Sequence, residues 1–253
     1  MTLVNAILLV ALGLFPSLVW MLFFYKRDCH PEPKYLITKT FLMGIIISPV
    51  AILLQIGFSH AGLESWTPLN ALIANGSLFF LWAAFVEEFV KYYAVRLVAL
   101  TDPSFDEPVD AMIYMMMAGL GFAAIENILV LFRTISSGID TALTIWALRS
   151  FGATLLHALS SGLLGYFLAL SWFFQHHRKK LIFVGLAIAT LFHFTFNTFL
   201  AGTDNQLRGL GLATGLLCVM AFLVSILFVK IKKRSHQATL KLTAAIEKDI
   251  IAT

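Results

Sequence analysis

The sequence predicts an all-α, polytopic membrane bundle of about seven transmembrane helices. Composition is the first observation: of 253 residues, 59% are hydrophobic and 13% charged, against about 45–50% and about 25% in soluble domains. Second, apolar runs of about 20 residues, enough to cross a hydrocarbon core, recur along the chain. Third, no long polar stretch divides them. One membrane-embedded domain over 1–229, followed by a basic tail over 230–253, accounts for the whole.

The first span, Leu3–Tyr25, lacks a basic leader and ends in Phe23-Phe24-Tyr25-Lys26 rather than at small residues. That makes it a retained helix, not a cleaved signal. Thr40–Phe58 is the second span and Leu72–Val98 the third, which is long and carries several charges. Ala111–Phe132, Phe151–Phe174, Leu181–Ala201 and Leu210–Val229 complete the set. Between the third and fourth, Thr101–Asp110 holds Asp102, Asp106, Glu107 and Asp110 with Pro103 and Pro108, and reads as a solvated turn. Cys29 in a basic loop and Cys218 in mid-span suggest neither a disulfide framework nor a metal site.

Charge sets the orientation. With the N-terminus outside, the outer face receives only Arg133, Arg149 and Arg208 of the 18 Lys and Arg residues. The positive-inside rule then puts the 175–180 loop and the C-terminal tail in the cytoplasm. The net charge of +4 is spent on this asymmetry, which argues against a nucleic-acid partner. The tail can lie against anionic lipid.

Polar residues inside the spans carry the functional information. Glu87, Glu88 and Lys91 lie in the third, Glu126 in the fourth, His157 in the fifth and His193 in the sixth. An ionisable group in hydrocarbon costs several kcal/mol unless paired or wetted. Helical spacing of four residues stacks Glu87 with Lys91, Phe122 with Glu126, His157 with Ser161 and His193 with Asn197. Counting about 1.5 Å per residue from the span ends puts all four groups between mid-membrane and the outer half, where they can meet. Glycine, alanine and serine near them, such as Gly119, Ala123, Ala158, Gly162, Ser161, Gly165, Gly211 and Gly215, allow close helix approach.

A lysine one turn away keeps at least one glutamate charged, which suits a general base for water. The histidines and Asn197 offer donors for an oxyanion. Each residue has a plainer role available: Glu88–Lys91 as a structural ion pair, a lone histidine, Asn127 or Ser161 as interhelical glue. Six ionisable groups on four spans outweigh those roles taken singly.

At these residues the chain resembles the PrsW family of intramembrane proteases, within the superfamily of CAAX prenyl endopeptidases and bacteriocin-processing proteins. The resemblance rests on Pro16-Ser17-Leu18, Arg27-Asp28, Pro31-Glu32-Pro33 and the Glu-Glu-x-x-Lys of Glu87–Lys91. It continues through Asp110, Gly121-Phe122, Glu126-Asn127, His157 and His193. It implies peptide-bond hydrolysis in the membrane by glutamate-activated water, with no required metal and no cofactor. By that resemblance Glu87 is the base and Glu88 its support, His157 assists, and His193 with Asn197 stabilises the oxyanion. Glu126 stands where CAAX endopeptidases carry histidine, so its role, water positioning or proton sharing, is open. Lys91, Phe122, Asn127 and Asp110 are supporting residues. The implied partner is a single-span membrane protein such as an anti-sigma factor, and the implied location the bacterial inner membrane. CAAX processing fits less well, because the motifs follow the PrsW branch.

Two other functions fit the same residues. A zinc protease finds plausible ligands in Glu87, Glu126, His157 and His193, but no His-Glu-x-x-His and no two histidines on one helical face. A proton-coupled transporter also uses intramembrane carboxylates and histidines, yet no internal repeat is visible.

Overall fold

The computed structural model describes residues 3–26, 32–62, 77–202 and 205–251. Among them are eight α-helices and no strand: α1 Leu3–Tyr25, α2 Lys34–His60, α3 Ser77–Val98, α4 Asp110–Thr134, α5 Ile139–Phe151, α6 Ala153–Phe173, α7 Arg178–Ala201 and α8 Gln206–Ile251. Six helical stretches are long and apolar enough to cross a membrane, so this is an integral, multi-pass membrane protein. α3 has comparable length, 22 residues, but carries Glu87, Glu88, Lys91 and Arg96.

All seven expected spans correspond to helices, with shifted ends. α2 starts at Lys34 rather than Thr40, and residues 72–76 of the third expected span lie outside the described residues, as do Arg27, Asp28, Cys29 and Pro31. α5 was not expected. Its 13 residues are too few to span, so hydropathy passes over it, and Arg149 looked like an outer-loop charge. α8 runs unbroken for 46 residues from the last expected span into the expected tail, about 69 Å at 1.5 Å per residue.

α4 is the axis of the bundle. Every residue from Asp110 to Ala124 is buried, and α1, α2, α3, α5 and α6 all pack on it. Small residues make that possible. A Cβ on Gly121 would collide with the Phe41 carbonyl of α2, and one on Gly44 with the Ala118 carbonyl of α4. Gly165 approaches Met112 and Ala111 in the same way. Gly211 and Gly215 differ, with open space where a side chain would go.

Two mid-helix prolines free carbonyls that a membrane cannot solvate. Pro16 leaves the Leu12 carbonyl without its helical donor, and the Trp146 indole of α5 donates to it at 2.8 Å. Pro49 leaves the Ile45 carbonyl, which takes the Ser48 hydroxyl at 2.9 Å. A second indole, Trp20, donates to the Ser150 carbonyl at 2.9 Å. The short helix α5 is therefore pinned to α1 at two points.

The acidic loop is organised by its own carboxylates. Asp110 Oδ2 accepts the backbone N–H groups of Asp106 and Glu107 at 3.1 and 2.8 Å. Asp102 accepts the Ser104 N–H and the Tyr35 hydroxyl, which hold its carboxyl below the usual aspartate range. The Tyr114 hydroxyl donates to buried Glu32.

Candidate active site

Four helices deliver the polar residues to one place. α3 brings Glu87, Glu88 and Lys91, α4 brings Phe122, Glu126 and Asn127, α6 brings His157, and α7 brings His193 and Asn197. The contact between α4 and α6 needs a glycine. A Cβ at Gly119 would sit 2.5 Å from the His157 carbonyl oxygen and 2.7 Å from Ser161 Oγ. With hydrogen there instead, α6 comes close enough for His157 to reach Glu126.

Glu88 is wholly buried and surrounded by donors. Oε1 takes Lys91 Nζ at 2.8 Å, Ser160 Oγ at 2.8 Å and His193 Nδ1 at 2.9 Å, and Oε2 takes Ser161 Oγ at 3.3 Å. Lys91 is also wholly buried. Its ammonium donates to His157 Nδ1 at 2.7 Å and lies 4.6 Å above the Phe122 ring. Lys91 turns into the cluster rather than snorkelling to the surface.

Glu87 differs from its neighbour. Gln55 Nε2, from α2, donates to Oε1 at 3.0 Å. Oε2 is buried with no hydrogen-bond partner among the described residues, 3.5 Å from His193 Nε2, 3.8 Å from His157 Nδ1 and 3.8 Å from Lys91 Nζ. Each histidine has its far nitrogen on another carboxylate: His193 Nδ1 on Glu88 at 2.9 Å, His157 Nε2 on Glu126 at 3.0 Å. Ionised carboxylates accept, so these contacts put the proton on those far nitrogens and leave the near ones as acceptors, His193 Nε2 beside Glu87 and His157 Nδ1 taken by Lys91. The two rings meet edge to face at 5.0 Å.

A cavity of about 220 Å³ opens on this corner. Glu87, Glu126, His157, His193 and Asn197 line it together with Arg149. Its remaining wall is mostly apolar, from Ile145 and Leu148 of α5 across to Leu210 and Leu217 of α8. Glu126 is the most open of the three carboxylates, its side chain 27% exposed against 7% for Glu87 and 0% for Glu88. Both its contacts fall on Oε2, from His157 and from Arg149 NH2 at 3.0 Å.

Of the residues singled out in the sequence, Glu87, Glu88, Lys91, Phe122, Glu126, Asn127, His157, His193 and Asn197 gather here. Asp110 does not. It lies 16 residues before Glu126 on the same helix, about 24 Å away along the axis, where it closes the acidic loop. Several contributors were missed: Gln55, Ser160, Thr154 and Arg149. Ser160 and Gln55 are polar residues in otherwise apolar spans, a signal that was available. From the sequence, Arg149 marks only the outer face.

The donor set bears on a metal. Bonds of about 2.0–2.1 Å around a tetrahedral ion set ligand atoms about 3.4 Å apart. One ligand atom from each of Glu87, His157 and His193 lies within 4.8 Å of the others, and the two separations from Glu87 Oε2 are 3.5 and 3.8 Å. The carboxylates behind both imidazoles are the outer-shell partners that histidine ligands ordinarily have. These residues fit a divalent ion. The lack of two histidines on one helical face is no obstacle, because the pair is assembled from α6 and α7.

The chain is similar to known proteins over most of its length. The family described as "PrsW family intramembrane metalloprotease" matches residues 32–229. "Protease PrsW" of Geobacillus kaustophilus is 26% identical over 198 residues, 78% of this chain and 81% of the relative. The proteins of the same name from Oceanobacillus iheyensis and Bacillus subtilis are 28% and 26% identical. Each is matched over 78% of this chain, and over 85% and 84% of its own length. No solved structure matches the chain significantly.

Proposed function

The chain belongs to the PrsW family of intramembrane proteases, and from that premise we propose that it is an endopeptidase cutting a single-span membrane protein in or beside its span. An anti-sigma factor in the bacterial inner membrane is the substrate type we favour. The observation that carries the proposal is the unpartnered Glu87 Oε2, facing two oriented imidazoles at the edge of a cavity. Such a corner can bring water to a peptide carbonyl with lipid excluded.

Glu87, His157 and His193 would hold a divalent ion. When bound there, it supplies Lewis acidity that polarises a carbonyl and makes water easier to deprotonate. The protein's own groups do the rest. Glu126, the most open carboxylate, takes the proton from water as its oxygen bonds to the carbonyl carbon. It then gives that proton to the amide nitrogen as the C–N bond breaks. Asn197, one turn from His193 and on the cavity wall, donates to the developing oxyanion in this reading. Glu88 stays charged among its four donors and fixes His193.

A second mechanism has one specific observation in its favour. Lys91 Nζ already sits 2.7 Å from His157 Nδ1, a cation at the nitrogen that a metal would use. In that case Glu87 itself is the base for water and the enzyme is a metal-independent glutamic peptidase. Chelation separates the two. Cleavage of a single-span peptide should stop in chelator and return with zinc, whereas full activity after thorough chelation assigns the chemistry to Glu87 alone.

A further inference from the structure

We infer that Arg149 is a positioning residue for this reaction, acting through Glu126. It stands on α5 at the cavity edge, just before the helix breaks at Gly152. Its guanidinium reaches two neighbouring residues of α4. NH2 donates to Glu126 Oε2 at 3.0 Å, and Nε donates to Asn127 Oδ1 at 2.8 Å. Asn127 is buried and passes the connection on, Nδ2 to Thr154 Oγ1 of α6 at 2.8 Å. One side chain thus ties α5, α4 and the start of α6 together beside the catalytic corner.

The consequence falls on Glu126. Oε2 receives Arg149 from one side and His157 Nε2 from the other, so the carboxylate is held in a fixed plane. Among the described residues Oε1 has no hydrogen-bond partner, and it is left for the cavity. Without the guanidinium, one imidazole contact remains and the carboxylate can rotate about its last torsion. A misplacement near 1 Å at a reacting group costs on the order of 100-fold in rate. Lysine cannot reproduce the arrangement, because an ammonium is a point charge and lacks the planar fork that meets two acceptors at once. Arg149 is itself anchored: Trp146 and Ser150 of α5 are bound to Leu12 and Trp20 of α1. Charge points the same way. Glu87, Glu88 and Glu126 would face Lys91 alone without it, and a buried surplus of like charge is costly.

This inference rests on the peptidase reading, and the experiment separates the two. Wild type, Arg149→Gln, Arg149→Lys, Glu126→Gln and the Arg149→Gln/Glu126→Gln double variant are reconstituted with a fluorogenic single-span peptide. The ring nitrogens of His157 and His193 are followed in 15N-histidine-labelled protein. Arg149→Gln should lose about 100-fold in kcat with KM within about twofold, and Arg149→Lys should fall between it and wild type. The double variant should cleave like Glu126→Gln alone. In the spectra, Arg149→Gln should shift the His157 signals and leave those of His193, held by Glu88, in place. Losses that multiply in the double variant, wild-type kcat in Arg149→Gln, or an unmoved His157 signal would each overturn the assignment. Should Arg149→Gln not accumulate, Arg149→Lys carries the same comparisons. A wild type that cuts nothing would sink the peptidase reading, and the histidine spectra would still decide the role of Arg149.

Discussion

Glu87 and Glu88 are adjacent in sequence and play opposite parts, because consecutive residues on a helix point about 100° apart. Glu88 faces α6 and α7 and meets four donors. Glu87 faces the cavity and keeps one oxygen without a hydrogen bond among the described residues. Their isosteric amides should therefore fail differently. Glu87→Gln should lose at least 100-fold in cleavage rate with its melting temperature nearly unchanged. Glu88→Gln leaves the Lys91 ammonium without its carboxylate, so a destabilisation of about 3–5 kcal/mol should accompany its inactivity. Thermal unfolding in detergent beside cleavage assays separates the two; equal stability losses would contradict the division of roles.

Lys91 and Gln55 complete the residue scale. Lys91→Met should be more damaging than Lys91→Arg, since the buried ammonium serves Glu88 and His157 together. Equal activities would show that charge at this position is dispensable. Gln55→Leu removes the hydrogen bond that α2 gives Glu87 and should lower kcat about tenfold with no change in expression. Wild-type rates there would mean that Glu87 needs no holding from α2.

At the scale of elements, the sequence was most legible where hydropathy and charge conflict. Glu87-Glu88-x-x-Lys91, Glu126, His157 and His193 stand out because hydrocarbon penalises them, and depth counting alone brought them to one level. Asp110 shares their chemistry but not their place: Pro103 and Pro108 put it at the end of a loop, and only the resemblance made it a supporting residue of the site. α5 was invisible for the opposite reason. It is too short to span, and its function lies in Trp146 and Arg149, whose partners are more than 20 residues away in the chain. Pro16 was legible as part of a motif, but its meaning appears only when Trp146 is found on the carbonyl that it frees. Close packing around Gly119 makes a sharp prediction. Gly119→Ala forces α4 and α6 apart at His157 and should cost about 1–3 kcal/mol as well as activity. The same change at Gly215, which faces open space, should cost neither. Comparable losses at both would show that helix approach is not what Gly119 provides.

For the whole molecule, the corner's position in the bilayer depends on orientation. From the asymmetry of Lys and Arg we propose that the N-terminus lies outside and the end of α8 in the cytoplasm. With the native Cys29 and Cys218 replaced by serine, Ser235→Cys should resist an impermeant thiol reagent in intact cells and react after lysis. Fast labelling of intact cells would invert the arrangement.

The central claim, that Glu87 with His157 and His193 forms a hydrolytic centre inside the membrane, is tested most directly by one comparison. Purified wild-type and Glu87→Gln proteins are reconstituted with a single-span peptide, and the products are identified by mass spectrometry. Wild type should release fragments cut in or beside the span, while Glu87→Gln leaves the peptide intact. The same fragments from Glu87→Gln, at the wild-type rate, would contradict the account.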